Sequence, residues 1–228
     1  MPRRGDFLIL RLVRMELPPL VLALALGYAL GSVPFGFLLG KARGVDVRKL
    51  GSGNIGATNV WRALGRPWGI ATFVLDFAKA PLAIVLALGL AHRHGASDGL
   101  TVWAEIAAFA GAILGHNFPV WLGFRGGKGV ASSAGGLLLL MPQAFLAVVA
   151  VWLLVFAGSR IVSLASLAGA TALPFAAWFL ETPHAGLRGL SLLLAAMIVL
   201  RHRANIRRLF DGTEHRWTKK KKATEATP

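Results

Sequence analysis

Lys128 stands between glycines, in Gly126-Gly127-Lys128-Gly129, just before a new apolar run. Backbone amides and an ammonium could converge there on one phosphate. A second glycine-rich run, Gly51-Ser52-Gly53-Asn54-Ile55-Gly56-Ala57-Thr58, leads through Asn59 to Arg62. Glycines let consecutive backbone N–H groups turn toward an anion. Thr58 or Asn59 could open a helix whose N-terminus faces that anion, and the Arg62 guanidinium is a fork suited to phosphate. A third cluster, His202-Arg203-Ala204-Asn205, places an imidazole and a carboxamide at i, i+3 on one helix face. The chemistry shared by the three is capture of phosphorylated molecules, with His202 available as a base. Ser163 and Ser166, following Arg160, add hydroxyls whose alternative role is helix packing.

Two familiar labels fail on context. Gly51, Gly53 and Gly56 spell G-x-G-x-x-G, and Asp76 lies 20 residues further on, as in a dinucleotide-binding unit. No strand precedes these glycines, however, and Asp76 sits inside an apolar stretch. The same run nearly fits a P-loop, but Ala57 occupies the position of the required Lys. Other charged residues have simpler readings. His116 reads as an interfacial hydrogen-bonding residue. Arg203, Arg207 and Arg208, and the Lys219–Lys222 run, read as partners of anionic lipid headgroups. Asp76 and Lys79, at i, i+3 within a span, could pair with each other, and Glu105 has no assigned role.

The elements that must position these residues are membrane helices. Hydrophobic residues make up 55% of the 228, and charged ones 15%, against roughly 25% in soluble domains. That excludes disorder and disfavours a water-soluble enzyme. The absence of Cys removes disulfides, thiol nucleophiles and Cys-ligated metals, and no metal or cofactor is expected. A spanning helix needs about 20 apolar residues. Stretches 17–40, 129–159 and 161–180 carry no charge at all. Pro142 divides the second of these. The expected architecture is an all-α polytopic integral membrane protein, helical because lipid cannot satisfy free backbone groups. Seven spans are expected, near 17–40, 67–91, 101–122, 129–141, 144–158, 162–180 and 187–201; five remain if the 129–158 pair does not cross.

The net charge of +15 would point to nucleic acid in a soluble protein. Here its distribution reads as topology, with no nucleic-acid partner. Residues 41–66 carry six Lys or Arg and one acid, residues 123–128 carry Arg125 and Lys128, and residues 201–222 carry five Arg and four Lys. The intervening loops are nearly neutral. The positive-inside rule puts the basic segments in the cytoplasm, with the N-terminus outside and the C-terminus inside. Arg3, Arg4, Arg11 and Arg14 oppose that orientation. Residues 1–14 are therefore either an upstream over-call, with Met15 the start, or a basic extension. The rest divides into one domain over 15–214 and a basic tail over 215–228. The first span lacks a cleavage signal and is expected to be retained.

Taken together, the three motifs, in order and each beside a span, resemble the bacterial acyl-phosphate:glycerol-3-phosphate acyltransferase family (PlsY type), over about residues 15–214. The resemblance implies transfer of a fatty acyl group from acyl phosphate to the 1-hydroxyl of glycerol 3-phosphate. The products are lysophosphatidic acid and phosphate, at the first step of phospholipid biosynthesis in the bacterial inner membrane. It implies essential roles for Ser52 and Arg62, and a glycerol-3-phosphate loop at Gly126, Gly127, Lys128 and Gly129. His202 and Asn205 match the functional pair of the third motif, Glu214 its structural acid, and Ser166 a site hydroxyl, with Ser163 a close competitor. Gly51, Gly53, Asn54, Gly56 and Thr58 complete the expected phosphate contacts. The H-x-x-x-x-D motif of other glycerolipid acyltransferases is missing, since none of the six His has an Asp five residues later. An enzyme supplying acyl phosphate is an implied functional partner, and membrane lipids are the surroundings.

Acyl phosphate is already activated, so no acyl-enzyme is needed. The proton acceptor is either His202 or a substrate phosphate oxygen, and the second is favoured. A transporter of a phosphorylated solute would also use cationic, Gly-rich helix interruptions, but would bring internal repeats, which the chain does not display. A lipid-binding scaffold would leave the glycine loops unexplained.

Overall fold

Apolar length and Pro/Gly punctuation decide where the helices lie. A computed structural model describes residues 19–181 and 184–217. The 1–14 segment and the Lys219–Lys222 run fall outside the described residues. Helix α1 (residues 19–31) continues after a break at 32–34 as α2 (Phe35–Ala42), the two forming one candidate span, Pro19–Ala42. A short amphipathic α3 (Ala57–Leu64) follows the glycine run. Gly65, at φ +95°, turns the chain into α4 (Arg66–Arg93), whose first turn holds Pro67, the position where a missing N–H costs nothing. Next come α5 (Asp98–Asn117), capped by Ser97, α6 (Val130–Leu140), α7 (Pro142–Ser159) and α8 (Val162–Phe179). The last two are α9 (Ala185–Arg201) and α10 (Arg203–Phe210). No strand occurs among the described residues.

All seven expected apolar segments are helical, but they are not equal as spans. Among the described residues, five helices are long and apolar enough to cross a membrane, and α9 with α10, bent by 59°, would make a sixth. The break at Met141-Pro142 is where Pro142 predicted it. It leaves α6 with 11 residues, a length of about 16 Å against a hydrocarbon core of roughly 30 Å. Helix α7, with 18 residues, is about 27 Å long. Both meet at Met141, and the Lys128 loop opens the shorter of the two.

Packing is inverted relative to a soluble bundle. Just over half of the core residues are alanines, such as Ala80, Ala83, Ala87, Ala104, Ala108 and Ala112, interleaved with larger ones such as Phe109, Ile113 and Leu173. Large apolar residues such as Leu82, Val85, Leu154 and Phe175 point outward. Lipid is as apolar as leucine, so close backbone approach rather than the hydrophobic effect holds such helices together. The clearest case is α1 on α5. Gly27 and Gly31 face the Ala108 and Ala112 backbone, while Gly111 and Gly115 face Leu24 and Tyr28. A Cβ at any of the four would overlap the opposing main chain. Helix α4 is the hub and packs on α3, α5 and α6, and α8 packs on α7 and α9. At the end away from the site, the Glu181 carboxylate accepts from the Ala144 amide (2.8 Å) and so supplies a partner for the start of α7.

Candidate active site

The three basic segments meet at one end of the bundle around a cavity of about 960 Å³. Ser52, Asn54, Gly56, Thr58 and Arg62 line it from the first segment. Lys128 and Gly129 line it from the second, His202, Asn205 and Glu214 from the third, and both Ser163 and Ser166 from α8. Away from this polar end the walls are apolar, with Phe73 and Phe77 of α4, Leu137 of α6, Phe145 of α7 and Leu173 of α8. A cationic head with an apolar arm is the shape that a phosphorylated lipid requires.

A single carboxylate ties the polar end together. Glu214 Oε1 accepts from Asn205 Nδ2 (2.7 Å) and Ser163 Oγ (2.9 Å), and Oε2 accepts from Arg208 Nε (2.7 Å). Asn205 Oδ1 in turn accepts from Lys128 Nζ (2.6 Å). Burial alone would raise the Glu214 carboxyl, but these donors outweigh it and hold Glu214 below the usual carboxylate range. Lys128 is pushed the other way. Burial chiefly, and then the neighbouring Arg208, Arg62 and Arg201, lower its ammonium to about 8 against the pull of Glu214. His202 is buried at the 59° bend between α9 and α10. Its Nδ1 lies 2.7 Å from the Ile198 carbonyl. A carbonyl can only accept, so Nδ1 carries the proton and a neutral ring offers Nε2 as acceptor.

Several of the loop amides expected to offer fixed dipoles to an anion are instead used inside the loops. The Gly126 and Gly127 amides donate to the Asn117 and His116 carbonyls (3.1 and 3.0 Å). Their own carbonyls accept from Arg201 Nη2 and Nε (2.8 and 2.9 Å). These two glycines therefore build the loop, and the amides left to face an anion are those opening α6. Gly127 has a second reason to be glycine, because a Cβ there would overlap the His116 imidazole. In the first loop, Asn59 acts as a staple inside α3. Its Oδ1 accepts from the Ser52 amide (2.9 Å), and its Nδ2 donates to the Val47 and Leu50 carbonyls (2.9 and 3.1 Å). The Gly53 amide donates to Leu50 O, and the Gly56 amide to Asn54 Oδ1 (2.8 Å). Gly51, at φ +55°, lies against Asn59. Helix α3 opens at Ala57, with Gly56 as its N-cap, just ahead of the expected Thr58 or Asn59.

This chain has known relatives. The family model for glycerol-3-phosphate acyltransferase matches residues 21–212. The chain belongs to the glycerol-3-phosphate acyltransferase family. A glycerol-3-phosphate acyltransferase of Mesorhizobium japonicum is 46% identical over 196 residues, which cover 86% of this chain and 94% of the relative. That of Myxococcus xanthus is 50% identical over 194 residues, 84% and 96% of the two chains. Among solved structures, PlsY (YgiH), an integral membrane glycerol 3-phosphate acyltransferase, is similar in its glycerol 3-phosphate form. The TM-score is 0.79 at 37% identity, over 87% of this chain and 96% of that one. Its lysophosphatidic acid form gives 0.77 at the same identity.

Three features of this acyltransferase lie outside the motif reading. Arg208, read as a headgroup partner, is bound to the Glu214 carboxylate. Arg201, one residue before the expected cluster, holds the Lys128 loop. His116 is buried rather than interfacial. Its Nδ1 is 3.4 Å from Lys79 Nζ, and Lys79 pairs with Asp76 at 2.7 Å. The Asp76–Lys79 pair expected from the i, i+3 spacing is therefore present, extended by His116 and set under Gly127.

Proposed function

We propose that the protein transfers a fatty acyl group from acyl phosphate to the 1-hydroxyl of glycerol 3-phosphate at the cytoplasmic face of a bacterial inner membrane. The observation that carries this reading is the two-part cavity: a cationic end built by three loops and an apolar arm among α4, α6, α7 and α8. The glycerol 3-phosphate and lysophosphatidic acid forms of the similar PlsY structure support it. The basic segments at the polar end support the cytoplasmic orientation by the positive-inside rule.

In this reading Lys128 and Arg62 neutralise substrate phosphate, and the N–H groups opening α3 and α6 add fixed dipoles. Ser52 and Ser166 hydrogen-bond substrate oxygens, and Asn205 holds the Lys128 ammonium in place. The acyl chain lies along Phe73, Leu137 and Leu173. The glycerol hydroxyl attacks the acyl carbonyl carbon, the C–O bond to phosphate breaks, and phosphate leaves with the electron pair. The hydroxyl proton passes to a phosphate oxygen, while His202 and Asn205 position the acceptor. Orientation of two bound reactants alone can supply about 7–11 kcal/mol of the barrier. An enzyme making acyl phosphate is the functional partner in this reading.

Purified protein given acyl phosphate and radiolabelled glycerol 3-phosphate should form lysophosphatidic acid, and acyl-CoA should not replace the donor. No product from acyl phosphate, or equal product from acyl-CoA, overturns the assignment.

A further inference from the structure

Trp217 lies beyond the 21–212 stretch shared with the family, yet it lines the cavity. Its amide donates to the Arg160 carbonyl (2.7 Å), which pins the C-terminal strap to the turn between α7 and α8. Its indole meets Trp61 edge-on, with centroids 5.1 Å apart, and Phe156 edge-on at 6.5 Å. Phe156 stacks on Trp152 at 4.9 Å, and Trp152 Nε1 donates to Ser166 Oγ (3.2 Å). Trp61 belongs to α3, which packs on α4, whereas Phe156 and Trp152 belong to α7, which packs on α8. One indole therefore bridges the two flanks of the cavity at its polar end. The strap that carries it is anchored three residues earlier by Glu214.

We propose that Trp217 roofs the cavity against water and so sets how the acyl group partitions between glycerol 3-phosphate and hydrolysis. The inference rests on the acyl-phosphate reading above. In transfer, the glycerol hydroxyl forms the new C–O bond, and phosphate leaves with the electron pair of the broken one. Water entering the same position gives free fatty acid and phosphate, with its proton also passing to phosphate. The two nucleophiles compete for one activated carbonyl, and excluding the smaller one requires a wall rather than a binding group. Trp217 supplies area: edge-to-face contacts fix the ring, and no other residue bridges α3 and α7 in the aromatic chain running from Trp61 to Ser166.

The test measures lysophosphatidic acid and free fatty acid in the same reaction, corrected for spontaneous hydrolysis of acyl phosphate. Trp217→Ala should raise the ratio of fatty acid to lysophosphatidic acid on the order of threefold or more, and Trp217→Phe should keep it near that of the parent. Trp61→Leu, which removes the ring's other support, should move the ratio in the same direction and carries the test if Trp217→Ala does not fold. A merely structural role would lower both products together, so an unchanged ratio in Trp217→Ala and Trp61→Leu overturns the proposal. If the parent protein forms no lysophosphatidic acid at all, the acyl-phosphate reading fails first, and this inference fails with it.

Discussion

Lys128 should impose an alkaline limit on activity, because its charge is both needed and weakened. Its ammonium sits at about 8, lowered by burial and by Arg208, Arg62 and Arg201. A cation with a lowered pKa keeps its proton below that value and loses it above. At pH 9 about one-tenth of the protein would carry the charge, so kcat/KM for glycerol 3-phosphate should fall about tenfold per pH unit beyond 8. The acid limb should follow the second ionisation of the substrate phosphate, near pH 6. Bound phosphate dianion favours the charged ammonium, so the limb in kcat should lie at higher pH than that in kcat/KM. Lys128→Arg keeps its charge throughout and should carry its residual kcat/KM flat to pH 9.5. Lys128→Ala removes the charge and leaves Asn205 Oδ1 without its donor. Truncating one partner of a buried charged hydrogen bond costs about 2–5 kcal/mol, or roughly 30- to several-thousand-fold in kcat/KM. Initial rates of lysophosphatidic acid formation from pH 5.5 to 9.5 decide the matter. A parent profile flat to pH 9.5, or an unshifted alkaline limb in Lys128→Arg, would rule out Lys128 as the group that sets the alkaline limit.

Gly127→Ala should raise KM for glycerol 3-phosphate more than it lowers kcat, because the new methyl must displace the His116 ring beneath the loop; an unchanged KM in folded protein counts against that loop as the phosphate site. His202→Ala should keep measurable turnover if phosphate is the proton acceptor, and loss of all detectable product in folded protein would point to His202 as the base. Asp76→Asn leaves Lys79 buried without its partner and should destabilise by about 3–5 kcal/mol, whereas Asp76→Asn with Lys79→Met should recover most of that. Thermal unfolding in detergent reads both, and a single variant as stable as the parent removes the ion pair from the stability argument.

The membrane architecture was legible because charge-free stretches are long and Pro142 marks its break without help from tertiary structure. The site was legible where chemistry is concentrated locally: a Lys among glycines, and a His and an Asn one turn apart. It was illegible where one residue reaches across the chain. Arg208 looks like one of several basic residues on α10, and nothing local shows that Glu214 will return to clamp it. His116 looks like a helix-end residue, and only the packing of α4 against α5 reveals Lys79 beside it. The loop amides misled for a related reason. A glycine run offers many N–H groups, but the tight turn that brings Lys128 into place uses the Gly126 and Gly127 amides for its own closure.

The electrostatics of the site then acquire a direction. Arg208, Arg62 and Arg201 all act on Lys128, and Glu214 is the one carboxylate that acts against them. Burial chiefly, and then repulsion from these three guanidinium groups, lowers Lys128, and clustered like charge works against folding. In the proposed reaction a phosphate dianion relieves that repulsion, which favours substrate binding. This assigns Glu214 a purpose beyond holding Asn205. Without it, Lys128 would lose the one interaction raising its pKa. With a second carboxylate in its place, the surplus that attracts phosphate would shrink. One acid among these bases supports the charge on Lys128 while leaving its surroundings short of negative charge, which is the condition that the proposed reaction sets for binding phosphorylated substrates beside an apolar arm.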